Sequence, residues 1–320
     1  MSEHISKVII TGASGPLGIM LTQQCIRNNI KVLAIVRPGS KNRKNILEHE
    51  LIQIVECDIA RIESVARNIR EQFDVCFHLA WTHTGDEGRL DPFLQEENIL
   101  STLNAAKCAL QLGCKVFIGA GSQAEYGKLD KKTNELTEER PDTMYGVTKL
   151  AAGRLVMEYC RQNGMRCNWV RIFAVYGPYE NDYIFTSYVI RSLMAREVPE
   201  LTPCGQIWDY LYTEDAVHAL LLVAEKAKES GIYCLGSGAP KSIREYVSLI
   251  RDAIDPNLPL GIGKRPYGKA QIMHLEADIS KITADTGFVP RYSFEEGIKK
   301  TIDWYRKQKE SRWDIRKQGC

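Results

Sequence analysis

A β-branched run, Lys7–Thr11, passes without a spacer into Thr11-Gly12-Ala13-Ser14-Gly15-Pro16-Leu17-Gly18 and then into an apolar helical pattern over Leu17–Asn28. Strand, glycine turn and helix in that order leave few folds open, because the chain must reverse within a few residues and lay helix on strand. Glycines three residues apart permit a tight turn, close approach of backbone to a pyrophosphate, and close helix–strand packing, with the helix N-terminus facing the phosphates. A glycine loop by itself is also only a turn. The strand before it and the helix after it point to a dinucleotide, with Gly12, Ser14, Gly15, Pro16, Leu17 and Gly18 as candidate contacts. The spacing is Gly-x-x-Gly-x-x-Gly, not the Gly-x-Gly-x-x-Gly of the larger dehydrogenases.

The same rhythm continues. Lys31–Val36, Leu51–Glu56, Asp74–Leu79, Lys115–Ala120 and Arg166–Ile172 read as strands, and Ile62–Arg70, Pro92–Leu112 and Tyr145–Gln162 as helices between them. Strands separated by helices predict an α/β fold with a doubly wound parallel sheet covered on both faces, whose ligands lie beyond the carboxyl ends of the strands. After Tyr176-Gly177-Pro178 the pattern turns to helices at Phe185–Arg196, Glu214–Ala227, Ile243–Ala253 and Phe294–Lys309, split by links such as Leu258–Gly268. At 320 residues the chain has room for two units. The expected division is a dinucleotide-binding domain over 1–175, completed by about 208–236, and a smaller mixed α/β substrate lobe from 176–207 and 237–320. The charged tail from Arg306 to Cys320 is expected to fray, apart from packing by Trp313.

Composition removes several alternatives. Forty-two Lys and Arg against 40 Asp and Glu give a net charge of +2, too little for an electrostatic nucleic-acid surface. The longest apolar run, Ala219–Ala224, is far short of a membrane span. Ten scattered cysteines form no Cys-x-x-Cys pair, which fits reduced, buried thiols and implies no metal. Met1-Ser2-Glu3-His4 carries no signal-peptide pattern, so a cytoplasmic location is expected.

Where an NAD site usually carries an acid for the ribose hydroxyls, the second strand runs into Arg37, with Lys41, Arg43 and Lys44 nearby. These cations suit a 2′-phosphate, so NADP(H) is expected over NAD(H), with NAD(H) still open; a solvated basic loop is the alternative reading. Asp58, after the third strand, can accept from the adenine amino group or simply start a turn. Tyr145 and Lys149 stand one helical turn apart, downstream of a strand end that carries Ser122. A phenol with a pKa near ~10 needs roughly 4 kcal/mol of differential stabilisation to act as a base at neutrality, and an adjacent ammonium supplies much of it. A second Tyr-x-x-x-Lys, Tyr305 to Lys309, lacks such a loop upstream and reads as structural.

With these residues in place, the chain resembles the extended short-chain dehydrogenase/reductase superfamily, in its nucleotide-sugar epimerase/dehydratase/reductase branch. The landmarks are Thr11–Gly18, Asp58-Ile59, His78-Leu79-Ala80, Asn98 through Asn104, Ser122 to Gly127, Tyr145/Lys149, Arg171-Ile172-Phe173 with Tyr176-Gly177-Pro178, and Trp208-Asp209-Tyr210 leading to Glu214-Asp215-Ala216. The resemblance implies a Rossmann domain and a catalytic triad of Ser122, Tyr145 and Lys149. It also implies cofactor contacts at Ile59, Leu79, Ala80 and Phe173, and a homodimer through helices 92–112 and 145–162.

Members that dehydrate at C5–C6 resemble one another in an Asp-Glu pair after the catalytic hydroxyl residue. Here Gln123 and Ala124 hold those positions, and neither can do acid–base work. A Cys/His pair for combined 3,5-epimerase and reductase members is also missing. That leaves an NADP(H)-dependent 4-ketoreductase acting on a 4-keto nucleotide sugar, with a 4-epimerase using tightly held NAD as the alternative, and a non-catalytic dinucleotide sensor or scaffold as a reading of another class. Ala174 stands where relatives carry Asn, and Trp208 where they carry Arg; both groups contact the substrate diphosphate in relatives. Arg191, Arg196 or Arg265 are candidate replacements, or the substrate lacks a diphosphate. Trp208 is read as a stacking platform or as core. Trp81, His83 and Gln123 join Ser122, Tyr145 and Trp208 as candidate substrate contacts, His83 being equally readable as a solvated loop residue. Gly85-Asp86-Glu87-Gly88 reads as a loop able to close over substrate.

Overall fold

In the computed structural model, which describes residues 5–85, 87–268 and 271–318 with side chains through Gln308, eleven strands and nine α-helices follow one another along the described chain. The strands are β1 Lys7–Thr11, β2 Lys31–Val36, β3 Ile52–Glu56, β4 Val75–His78, β5 Val116–Ser122, β6 Arg166–Ile172, β7 Ala174–Tyr176, β8 Ile207–Trp208, β9 Tyr210–Tyr212, β10 Gly231–Leu235 and β11 Lys241–Ser242. The helices are α1 Pro16–Arg27, α2 Glu63–Asn68, α3 Pro92–Gln111, α4 Met144–Gln162, α5 Phe185–Met194, α6 Thr213–Lys226, α7 Ile243–Ile254, α8 Ser280–Thr286 and α9 Phe294–Gln318. Among the described residues no helix is long and apolar enough to cross a membrane.

Seven strands form one parallel sheet in the order β10-β6-β5-β4-β1-β2-β3. The inner strands β1, β2 and β4 are almost wholly buried, as a sheet covered on both faces requires, while the edge strand β3 is partly exposed. One apolar cluster joins the sheet to α1 and α6 (Met20, Leu21, Leu220, Val223), and a second joins it to α3 and α4 (Ala105, Ala109, Val156, Cys160). The nine described cysteines are all free and buried. The chain winds outward from β1 to β3 and then returns to place β4 on the opposite side of β1. That reversal opens a crevice between the carboxyl ends of β1 and β4, where ligands bind in open α/β sheets.

A third cluster forms the mixed lobe, with Tyr176, Tyr210, Tyr246 and Phe294 packed ring on ring. Two small sheets, β7 with β9 and β8 with β11, lie in this part of the chain. The tail departs from expectation: α9 runs to Gln318, because Arg306–Gln318 contains helix-favouring Lys, Arg, Glu and Gln and neither Gly nor Pro. The packing expected of Trp313 lies outside the described side chains.

Candidate functional site

The glycine turn closes against the loop that follows β4. Gly12 has φ +70°, and a Cβ there would sit 2.7 Å from the Ala80 nitrogen; at Gly18 it would sit 2.3 Å from the Gly12 carbonyl oxygen. A side chain at Gly12 would force the turn away from the loop after β4, and one at Gly18 would force α1 away from the turn. Pro16 starts α1, where its missing N–H costs nothing. Gly12, Gly15, Pro16, Leu17, Gly18, Leu79 and Ala120 line one wall of a cavity of about 270 Å³, and the turn around Tyr176–Pro178 lines the other. A cavity bounded by a glycine turn and the N-terminus of α1 suits the pyrophosphate of a dinucleotide.

The other expected cofactor contacts are not among the residues that line this cavity. Ser14 receives a hydrogen bond from Ser40 (3.0 Å), just beyond β2. Arg37, Lys41 and Lys44 are exposed and have no ion-pair partner among the described residues, whereas Arg43 faces Glu56 at 3.2 Å. Asp58 caps a 3₁₀ turn by accepting the Ala60 N–H at 3.1 Å, and Ile59 is half-buried against the core. Ala80 donates weakly to Thr11 Oγ1 (3.4 Å). Phe173 is buried against Tyr126 in the lobe cluster.

Ser122, Tyr145 and Lys149 converge at the carboxyl end of β5. Thr143 caps α4 by accepting the Gly146 N–H (3.1 Å), which sets Tyr145 in the first turn and Lys149 one turn further on. Lys149 Nζ donates to the Ala120 carbonyl at 2.7 Å and lies 3.5 Å from the Trp81 ring centroid. Burial pulls its pKa down to about 7, with Glu125 opposing that fall and Arg89 adding to it. Burial raises the Tyr145 pKa, against Arg89 and a hydrogen bond with Ser122, which favour the phenolate. Ser122 itself is the cap of a short 3₁₀ turn, its Oγ accepting the Ala124 N–H (3.2 Å).

Of the expected substrate contacts, Trp81 donates its ring N–H to Gln95 (3.1 Å) and meets Tyr145 edge-on, centroids 6.0 Å apart. Gln123 Oε1 is buried without a hydrogen-bond partner. His83 is exposed, has φ +56°, and stands 4.0 Å from Glu97. Gln95 donates to the carbonyls of His83 (2.7 Å) and Gly88 (2.8 Å), so the loop is tied at both ends; Asp86 lies outside the described residues. Trp208 lines a second cavity of about 400 Å³ in the lobe with Gln206, Tyr210 and Arg265. Of the three replacement cations, Arg265 is the one on that cavity, beside Glu200 at 3.2 Å; Arg191 pairs with Asp182 and Arg196 with Asp255. Tyr305 bonds Ser187 (2.9 Å) in the lobe, and the Lys309 side chain lies outside the described residues.

Sequence reasoning missed four charged residues here. Glu125 and Arg171 form a buried pair behind Ser122, Arg89 faces Tyr145, and Glu180 lines the first cavity with a pKa raised by burial to about 7. None stands at a spacing that announces a partner; position within the Ser122–Gly127 and Arg171–Phe173 landmarks was the one available signal, and it covers only Glu125 and Arg171.

Comparison with known proteins places these features. The family described as NAD dependent epimerase/dehydratase matches residues 8–236. A trifunctional UDP-glucose 4,6-dehydratase/UDP-4-keto-6-deoxy-D-glucose 3,5-epimerase/UDP-4-keto-L-rhamnose-reductase of Arabidopsis thaliana is 26% identical over 96% of this chain, which spans only 48% of that protein. A UDP-N-acetylglucosamine 4-epimerase of Methanobrevibacter ruminantium M1, solved with UDP-N-acetylmuramic acid, shares the fold with a TM-score of 0.86 at 22% identity, over 96% of this chain and 100% of that one. MoeE5, solved with UDP-glucuronic acid and NAD, is 25% identical with a TM-score of 0.82, over 95% and 100% of the two chains.

Proposed function

Because the chain belongs to the NAD dependent epimerase/dehydratase family, within the extended short-chain dehydrogenases/reductases, we propose that it is an NADP(H)-dependent 4-ketoreductase of a 4-keto nucleotide sugar. The observation that carries this reading is Lys149, buried one helical turn beyond Tyr145, donating to the carbonyl of Ala120, which lines the glycine-loop cavity, with Ser122 at the end of the same strand β5. Ser122 holds the C4 oxygen, and Tyr145 gives that oxygen its proton. Lys149, held at the Ala120 carbonyl, favours the phenolate left behind. The dinucleotide, when bound, supplies the hydride. Gly12, Gly15 and Gly18 receive its pyrophosphate, and Arg37, Lys41 and Lys44 are the cations available to a 2′-phosphate.

Dehydration is disfavoured because Gln123 and Ala124 carry no acid or base. The lobe cavity is the place for the nucleotide, with Trp208 as a stacking face and Arg265 as the cation for a diphosphate. A homodimer through α3 and α4 belongs to the same reading, as does the division into a Rossmann unit and a substrate lobe.

A 4-epimerase is the second reading, favoured by the likeness to the sugar epimerases named above, since the same three residues serve hydride removal and return. Turnover separates the two. NADPH consumption with a 4-keto-6-deoxy nucleotide sugar supports the reductase; interconversion of C4 epimers without net cofactor change replaces it. Tyr145→Phe is expected to abolish either activity and leave dinucleotide binding intact; full activity in that variant would falsify the reading.

A further inference from the structure

Arg89 has no part in the reaction as proposed, yet its placement is closely determined. Its N–H donates to the Gly85 carbonyl at 2.9 Å, and its carbonyl accepts the Tyr145 N–H at 3.0 Å, one of the first-turn donors of α4 that no intrahelical carbonyl can reach. Gln95, buried, holds the same loop through His83 and Gly88. With both backbone groups tied, the half-buried side chain lies over the phenol, its Cζ 3.9 Å from the ring centroid. Among the described residues no carboxylate stands within ion-pair distance of it.

We propose that Arg89 is a positioning residue of the candidate site, a permanent positive charge held against the Tyr145 phenol by the loop that leads into α3. The inference rests on Tyr145 being the proton carrier and assigns it a second cation. Lys149 is the weaker candidate for that duty on geometry alone: its Nζ is 5.8 Å from the Tyr145 centroid and is engaged by the Ala120 carbonyl and the Trp81 ring. A guanidinium stays charged at every working pH, whereas burial brings Lys149 near neutrality, so the ammonium fades as the solution turns alkaline.

The groups facing Tyr145 come from every side. Ser122 faces it from β5, Glu125 from the turn after β5, Trp81 from the segment after β4, Lys149 from α4 itself and Arg89 from the loop, with His78 beside Lys149. Ser122 and Arg89 favour the phenolate; Glu125 and burial oppose it.

The test needs no substrate. The full chain is labelled with 3-fluorotyrosine, the resonance of residue 145 is assigned by its loss in Tyr145→Phe, and its fluorine shift is titrated in the wild type, Arg89→Gln and Arg89→Lys. The expected result is a midpoint higher by about one pH unit or more in Arg89→Gln, a tenfold weaker acid, with Arg89→Lys in between. Arg89→Met replaces the Gln variant if that one does not fold. Equal midpoints in wild type and the neutral variant overturn the proposal, as does a wild-type residue 145 that fails to titrate before the protein unfolds. Turnover that persists in Tyr145→Phe removes the proposed reaction and leaves this charge measurement standing; an inactive Tyr145→Phe with an unmoved Arg89→Gln midpoint removes the role of Arg89 alone.

Discussion

Glu125 accepts the backbone N–H of Ser122 at 2.7 Å, so the last residue of β5 is fixed from behind by a carboxylate with no solvent exposure. The same oxygen receives the Trp169 ring N–H (2.9 Å), and the other receives Arg171 Nε (2.7 Å). Arg171 in turn faces Glu139 and lies 4.4 Å from the Tyr126 ring centroid. A strand end, a 3₁₀ turn and the neighbouring strand thus share one buried charge pair, and the orientation of Ser122 depends on it.

Glu125→Gln should therefore act on stability and on the site together. The amide keeps an acceptor for Ser122 but leaves Arg171 with Glu139 as its one carboxylate among the described residues. A loss of about 3 kcal/mol is expected, at the low end for removing one partner of a buried pair, because Glu139 remains. Urea unfolding measures it. A change below about 0.5 kcal/mol would mean that the pair holds nothing in place.

His78 sets an acid limit. It lies between Thr11 (2.9 Å) and Thr102 (3.2 Å), and burial first, then Lys149, brings its pKa down to about 3. The unfolded chain takes up that proton near pH ~6.5, so between the two values the unfolded state binds more protons and stability falls as pH falls. From pH 7 to 4.5 this one residue should remove about 2 to 3 kcal/mol. His78→Gln is expected to be less stable than wild type at pH 7 and to lose less on acidification; parallel pH curves for the two proteins would refute the assignment.

The sheet was legible because β1 and β2 are short runs rich in Val and Ile and longer helical patterns separate the strands; the ends of β1, β2 and β6 coincide with the expected ones. The edge strand Gly231–Leu235 and the two- and three-residue strands of the lobe were not, since so few residues carry no period. The glycine cradle and the convergence of Ser122, Tyr145 and Lys149 could be anticipated from local order along the chain. Arg89 and the pairing of Glu125 with Arg171 could not. Glu125 and Arg171 are 46 residues apart, and only the fold brings them together; Arg265 was one of three candidate cations, and only the fold selects it by placing it on the lobe cavity.

Arg37 offers a test of the cofactor reading. If its guanidinium meets a 2′-phosphate, Arg37→Ala removes a charge-assisted bond worth roughly 1.5 to 3 kcal/mol and weakens NADPH about tenfold to a hundredfold. NADH, which lacks that phosphate, should bind as before. Calorimetric titration of both dinucleotides into both proteins makes the comparison, and an equal loss for the two would assign Arg37 to the solvated loop instead.

The last expectation concerns assembly. Helices α3 and α4 pack side by side on one face of the sheet and present apolar side chains outward: Phe93 is 78% exposed and Leu100 62% on α3, Val147 43% and Leu155 49% on α4. Phe93 and Leu100 are seven residues apart and Val147 and Leu155 eight, so each pair lies along one face of its helix. A monomer would leave these faces in water, whereas a second copy meeting them about a two-fold axis would bury both at once. Light scattering after size exclusion should give twice the chain mass of 36.2 kDa. Leu100→Glu with Leu155→Glu should return the single-chain value while leaving the helical circular dichroism unchanged, because neither side chain packs into the core. A wild type that elutes at the mass of one chain would remove the dimer from the proposed reading.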